Sequence, residues 1–188
     1  MGLKMDRRKK YTRYVLKESF IKKMHEKPLS SITIKEVCEM ADINRSTFYS
    51  NYKDLYDLLS QIEDEIIEDL NHTLSSYNYN KDDEAIQMTE KLLEYIAENQ
   101  ESCQVLFSEH GDPAFQKKVI MLAHNHLLKS WFPGSSMPDE NKQYLTLFIA
   151  NGSIHILQTW LKNGLKESPK EMAELITKLA TKGVSAFQ

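Results

Sequence analysis

Glycine and proline, the residues that interrupt regular backbone, are scarce in this chain, and most of them separate stretches whose apolar residues recur every three to four positions. One such stretch places Leu55, Leu58, Ile62 and Ile66 on a single helical face. No segment shows a convincing alternation of apolar and polar residues, which would mark a half-buried strand. The pattern therefore predicts an all-α fold of about nine helices.

Several predicted helix ends carry residues that satisfy unpaired backbone groups. Thr33 and Glu36 have the Ser/Thr-x-x-Glu spacing of a capping box, which predicts a helix start. Asn44 is predicted to cap a short helix over 45–51. The polar segment 75–83 lacks periodicity and is predicted to be a loop.

Composition argues against several classes of protein. Hydrophobic residues make up 41% and charged residues 27% of the chain, which is typical of a soluble folded protein rather than a disordered one. No apolar run approaches the roughly 20 residues that cross a bilayer, and the basic N-terminus lacks the apolar segment of a secretory signal. Cys38 and Cys103 lie far apart with no second thiol near either of them, which argues against a disulfide framework and a Cys-rich zinc site. We expect a cytoplasmic protein that does not associate with membranes.

The charges are unevenly distributed along the chain. Residues 1–60 contain 13 Lys and Arg against 8 Asp and Glu, whereas residues 61–188 contain 11 against 19. This asymmetry predicts a basic N-terminal element that faces a polyanion. For its basic cluster, phosphate contact is favoured over a merely solvated leader. The basic cluster consists of Arg7, Arg8, Lys9, Lys10 and Arg13.

Two short predicted helices joined by residues 41–44 have the spacing of a helix-turn-helix. In the second of them, Phe48 and Tyr52 are four residues apart and are predicted to pack inward. Its outward side chains would then enter a major groove, where Arg pairs with guanine and Thr contacts the thymine methyl group. These side chains are Arg45, Ser46, Thr47, Tyr49, Ser50 and Asn51. The alternative is a plain three-helix bundle with a solvated polar face.

The segment ITIKEVCEMADINRSTFYSNYKDLYDLL, residues 32–59, resembles the DNA-binding segment of TetR-type (tetracycline-repressor-like) transcriptional regulators. The matching features are Thr33 at the first helix start, Ala41 at the turn and Thr47-Phe48-Tyr49 in the second helix. Asp42 stands at the turn position where the family commonly has glycine.

The resemblance implies a DNA-binding domain over 1–53, with its helix-turn-helix at about 33–52, and an effector-binding and dimerisation domain over 54–188. It also implies a homodimer that binds double-stranded DNA at a pseudo-palindromic operator and responds to an unidentified small molecule. Repression is the default in the family, and activation is the alternative. The expected DNA-binding surface is completed by Thr33, Lys35, Asn44 and Lys53.

The predicted helices of the second domain carry wide apolar faces, and in the family a pocket among such helices binds the effector. Single Leu or Ile residues normally belong to a core, so polar and aromatic residues are the better pocket candidates. These are Cys103, Phe107, His110, His124, Trp131, Tyr144, His155 and Trp160. Two C-terminal stripes resemble the dimer bundle of the family, although such stripes normally pack inside one subunit. The dimer candidates are Phe148, Gly152, Ile156, Met172, Leu175, Ile176 and Leu179.

The sequence lacks the motifs of common enzymes and metal sites. It contains no Gly-rich phosphate loop and no GxSxG, HExxH or CxxC motif. His124 and His126 are two residues apart, so on a helix they point in different directions and cannot share an ion. We therefore expect no catalytic activity, metal or cofactor. A helical protein-interaction module without a DNA role is the remaining alternative, and it predicts that neutralising the basic cluster has no effect.

Overall fold

The computed structural model describes residues 2–76, 82–132 and 134–182, and within these ranges it contains nine α-helices and no strand. The predicted all-α fold is therefore confirmed. The predicted loop over 75–83 falls mostly on residues 77–81, which lie outside the described residues. The helices are α1 (Gly2–Glu26), α2 (Ile34–Ala41), α3 (Arg45–Tyr49), α4 (Leu55–Ser75), α5 (Asp82–Glu98), α6 (Gln100–Leu106), α7 (Pro113–Trp131), α8 (Asp139–Lys162) and α9 (Pro169–Lys182).

The chain divides into two compact units. Unit 1 consists of Met1–Ile66 and Val105–Asp112, and unit 2 consists of Ile67–Gln104 and Pro113–Gln188. The division of function at residue 53 stays a prediction. None of the described helices is long and apolar enough to cross a membrane.

In unit 1, α2 packs against α1 and α3 packs against α2. These contacts form because each helix contributes its apolar face to a common core. The buried side chains of this core include Leu16, Phe20, Met24, Val37, Phe48 and Leu58. Helix α1 begins at Gly2, so the basic cluster lies on a helix.

Helix α3 ends at Tyr49, two residues earlier than the sequence predicts. Two polar side chains hydrogen-bond to helix carbonyls at this end. The Ser50 hydroxyl donates to the Ser46 carbonyl at 2.9 Å, and the Asn51 amide donates to the Thr47 carbonyl at 2.8 Å. Ser and Asn side chains can bond to the same carbonyls as the backbone amides of a continuing helix. The spacing of apolar residues carries no information on such bonds, so it does not locate this helix end.

In unit 2, α5 packs against α9, and α8 packs against both α7 and α9. The turn between α8 and α9 is held by Trp160, whose indole N–H donates to the Glu167 carbonyl at 3.0 Å. Ser168 and Glu171 form a second capping box at the start of α9, as their spacing in the sequence predicts. This arrangement fixes where the last helix begins.

Candidate nucleic-acid interface

The start of α2 is held by a capping box that also engages α1. The Glu36 amide donates to the Thr33 hydroxyl at 3.3 Å, and the Thr33 amide donates to the Glu36 carboxylate at 2.9 Å. The Lys27 ammonium group lies 2.6 Å from the other carboxylate oxygen. Hydrogen bonds from Lys27 and Thr33 lower the pKa of Glu36 to about 2. One carboxylate therefore joins the first helix of the motif to the end of α1.

The turn between α2 and α3 depends on a left-handed residue. Asp42 has φ 53° and ψ 45°, and its amide donates to carbonyls at the end of α2. Asp adopts this conformation more readily than most residues, which explains how it replaces the glycine common in similar sequences. Asn44 then begins α3 as its N-cap, but its side chain makes no capping hydrogen bond, so the predicted side-chain cap is wrong.

Helix α3 has one buried aromatic side and one polar exposed side. Phe48 is fully buried and Tyr52, just after the helix, is 2% exposed, and their ring centroids are 5.7 Å apart. This agrees with the expected inward packing. Thr47 is half-buried, and the exposed residues of the segment are Asn44, Arg45, Ser46, Tyr49 and Ser50. The second helix of the motif thus presents hydrogen-bonding groups of the kind that read base edges.

The predicted basic residues fall into two groups. Arg13 is half-buried, and its guanidinium donates to Gln61 at 2.8 Å and lies 5.8 Å from the centroid of the Tyr52 ring. Contact between Arg13 and a phosphate stays a prediction. The other predicted basic residues are exposed, namely Arg7, Arg8, Lys9, Lys10, Lys35, Arg45 and Lys53.

Two further predicted DNA-binding residues are engaged within the unit. The Thr33 hydroxyl both accepts from the Glu36 amide and donates to the Glu36 carboxylate, at 2.8 Å for the latter bond. Asn51 is half-buried, and its amide nitrogen donates to the Thr47 carbonyl. The structure gives these side chains roles at helix ends, which spacing alone does not distinguish from DNA contact.

Sequence reasoning overlooked an exposed tyrosine beside the motif. Tyr56 is 65% exposed at the start of α4, while its neighbour Leu55 is buried. A tyrosine hydroxyl is a suitable donor to a DNA phosphate. The signal was present in the sequence, because the stripe Leu55, Leu58 and Leu59 points inward and leaves Tyr56 on the opposite side.

Comparison with known families identifies the C-terminal part of the chain. A family model of the TetR transcriptional regulator C-terminal region matches residues 83–182, which is more than half of the sequence. The chain belongs to the TetR family of transcriptional regulators. Among curated protein sequences, none matches this regulator significantly.

Solved structures share the fold of this TetR-family regulator. A TetR transcriptional regulator from Streptococcus agalactiae 2603V is 24% identical, with 96% of this chain and 99% of that chain covered and a TM-score of 0.64. The dihydroxyacetone kinase operon activator DhaS is 23% identical, with 90% and 93% covered and a TM-score of 0.61. FadR from Thermus thermophilus, a TetR-family repressor in complex with lauroyl-CoA, is 17% identical, with 91% and 94% covered and a TM-score of 0.55.

The predicted pocket residues of the TetR-family regulator differ in exposure, and their contact with an effector stays a prediction. Cys103, His124 and Trp160 are buried in unit 2, and the His124 ring lies 2.9 Å from the Thr146 hydroxyl. Phe107 is buried and His110 exposed in unit 1. Trp131 is half-buried, whereas Tyr144 and His155 are exposed.

A cleft of about 310 Å³ in unit 2 involves other residues. Its lining consists of His72, Thr73, Ser76, Lys91, Glu94, Tyr95 and Glu98. Within the described part of the chain, no group of three His, Cys, Asp or Glu side chains is arranged to hold a metal ion.

The predicted dimer residues of the regulator divide between core and surface. Met172 and Ile176 are buried by their own chain on α9, a helix that packs against α5, and their part in a dimer stays a prediction. Ile156 and Leu175 are half-buried, and Leu179 is 37% exposed.

Two dimer candidates on α8 remain accessible. Phe148 is 77% exposed, and the Cβ position of Gly152 faces open space. The accessible part of the predicted interface therefore lies mainly on α8.

Proposed function

We propose that this TetR-family regulator binds a pseudo-palindromic operator as a homodimer and represses transcription until a small-molecule effector binds. The observation that carries the proposal is the exposed polar side of α3, anchored from behind by Phe48 and Tyr52. Arg45 is suited to bidentate pairing with guanine, and Ser46 and Tyr49 offer hydroxyl groups. A recognition helix needs one face that is packed rigidly against its domain and another face whose side chains form hydrogen bonds with bases.

Exposed cations on neighbouring segments support contact with the DNA backbone. Arg7, Arg8 and Lys9 are exposed on α1, and Lys53 is exposed beside α4. Contacts of this kind provide affinity that is independent of sequence and steeply dependent on salt, with a slope of about 0.9 for each neutralised phosphate. Two copies of such a surface would match the two half-sites of an operator.

Two solved relatives favour different regulatory outcomes. FadR is a repressor, and its structure holds lauroyl-CoA, which supports repression relieved by a small molecule. DhaS is an operon activator, which supports activation as the second candidate. The two outcomes differ in where the operator lies, because a repressor site overlaps the promoter whereas an activator site lies beside it.

Genome-wide footprinting with the purified full-length protein tests the proposal. We expect enriched sites that contain an inverted repeat, and transcription in vitro from such a site to fall when the protein is added. Arg45→Ala should lose about 1–3 kcal/mol of preference for the site over scrambled DNA. Lys162→Ala, which removes an exposed positive charge from α8, is the control and should bind normally. Failure to enrich any site would refute DNA binding, and stimulated transcription would select the activator.

A further inference from the structure

Three hydrogen bonds in unit 1 connect α1 to the backbone that precedes α4. The Arg13 guanidinium donates to Gln61 Oε1 at 2.8 Å, and Gln61 Nε2 donates to Asp57 Oδ1 at 3.1 Å. The backbone amide of Lys53 donates to Asp57 Oδ2 at 2.8 Å. We call the three side chains of Arg13, Gln61 and Asp57 the Arg13 relay.

The chemistry of the relay leaves one orientation for its middle member. Arg13 only donates hydrogen bonds and the ionised Asp57 only accepts them. The Gln61 amide accepts from Arg13 through its oxygen and donates to Asp57 through its nitrogen, so both ends of the side chain are engaged. Hydrogen bonds from the Lys53 amide and from Gln61 also lower the pKa of Asp57, which keeps this acceptor charged.

The guanidinium end of the relay is itself held in place. Arg13 lies over the Tyr52 ring, and its guanidinium is 3.6 Å from the Glu65 carboxylate. Lys17, one helical turn further along α1, also pairs with Glu65. A side chain with these neighbours is a component of the packing between α1 and α4.

The other end of the relay terminates at a residue suited to DNA contact. Lys53 has an exposed side chain, and it lies in the short segment between α3 and α4. Its backbone amide is occupied by Asp57, so the relay constrains the direction in which the lysine side chain leaves the backbone. We propose that the Arg13 relay positions Lys53 for contact with a DNA phosphate. This inference rests on the proposed function, and it makes Arg13 a positioning residue.

Gln61→Leu interrupts the relay without changing the net charge, so it isolates positioning from electrostatics. The experiment measures the affinity of the full-length protein for a labelled duplex that carries the footprinted inverted repeat, over a series of salt concentrations. We expect Gln61→Leu to weaken binding about fivefold and to lower the salt slope by up to about 0.9, because the displaced lysine neutralises its phosphate less often. Lys53→Ala should weaken binding and lower the slope by about 0.9. Ser60→Ala, an exposed change on the same helix, is the matched control and should match wild type.

The double variant decides whether the relay acts through Lys53. Once the lysine side chain is removed its positioning has no value, so Gln61→Leu with Lys53→Ala should bind no more weakly than Lys53→Ala alone. A loss of stability alone would weaken binding equally in both backgrounds. Additive losses, or an unchanged salt slope for Gln61→Leu, overturn the relay while leaving DNA binding intact. If the wild-type protein binds no duplex at all, the proposed function fails and the relay loses its role with it.

Discussion

A single carboxylate, Glu36, illustrates how much one residue organises in unit 1. Its two oxygens accept from the Lys27 ammonium group, the Thr33 amide and the Thr33 hydroxyl. These bonds stabilise the ionised form, which is why the pKa falls from 4.5 to about 2. Protonation of Glu36 therefore weakens the start of α2 and its connection to α1 together.

The lowered pKa of Glu36 predicts a loss of stability in acid. A carboxylate whose pKa is lowered in the folded state stabilises the fold at pH values above its pKa in the unfolded chain. For Glu36 this contribution disappears as the pH falls from 4.5 towards about 2. Glu36→Gln should lower the urea midpoint at neutral pH, and its difference from wild type should shrink across that interval. Glu39→Gln, an exposed change on the same helix, is the control. A difference that stays constant with pH would contradict the assignment.

Residue roles were predictable from the sequence only where the partners are close together in the chain. The spacing of Thr33 and Glu36 predicts their capping box, because both partners lie within one helical turn. The contribution of Lys27 depends on how the chain turns through residues 28–32, which spacing does not specify. The hydrogen bond of Arg13 is harder still to predict, because its partner Gln61 is 48 positions away. From the sequence, the position of Arg13 in a basic cluster suggests contact with a DNA phosphate.

At the scale of elements, a tight turn separates α6 from α7. A Cβ built at Gly111 would overlap the Leu106 carbonyl oxygen, and it would lie 2.6 Å from the Leu106 carbonyl carbon and 2.9 Å from the Val105 carbonyl oxygen. All of these atoms belong to the backbone and cannot move aside as a flexible side chain would. Glycine is therefore required at this turn, because the backbone of Val105 and Leu106 leaves no room for a Cβ atom.

Gly111→Ala should destabilise the protein by about 1–3 kcal/mol, because the added methyl group forces the end of α6 to shift. Urea unfolding followed by circular dichroism measures the effect. Glu109→Ala, an exposed change in the same turn, should alter stability by less than about 0.5 kcal/mol. Equal midpoints for wild type and Gly111→Ala would show that the turn relaxes freely.

The sequence predicts where helices form better than it predicts which helices pack against each other. The start of α7 at Pro113 follows from local chemistry, since proline suits the first helical position. The apolar stripe of α9 was equally visible, but periodicity states only that one face is buried and does not name the partner. Packing against α5 makes Met172 and Ile176 core residues, and the sequence offered a dimer interface as an alternative for the same stripe.

At the scale of the whole molecule, the proposed homodimer depends on what covers α8. Phe148 exposes 77% of its surface, and Tyr144, one helical turn earlier, exposes 72%. Large aromatic side chains exposed this far on one helix are typical of an interaction surface. A two-fold axis along this face would bring the same residues of two chains together.

Phe148→Asp should convert the dimer into monomers, because it would place two carboxylates in an apolar interface. Light scattering at micromolar protein concentration measures the mass. Tyr14→Asp, which introduces the same charge at an exposed aromatic position of α1, is the control and should leave the mass unchanged. A monomer mass for the wild-type protein would count decisively against the dimer.

The two buried cysteines give each unit an internal reporter. Burial raises the pKa of Cys38 in unit 1, and it raises the pKa of Cys103 in unit 2 to about 12. Alkylating reagents attack the thiolate, so we expect both buried thiols to react slowly at neutral pH while the chain stays folded. The labelling rate of each cysteine therefore measures how often its own unit opens. In a variant that retains only one cysteine, this rate reports the opening of that unit alone.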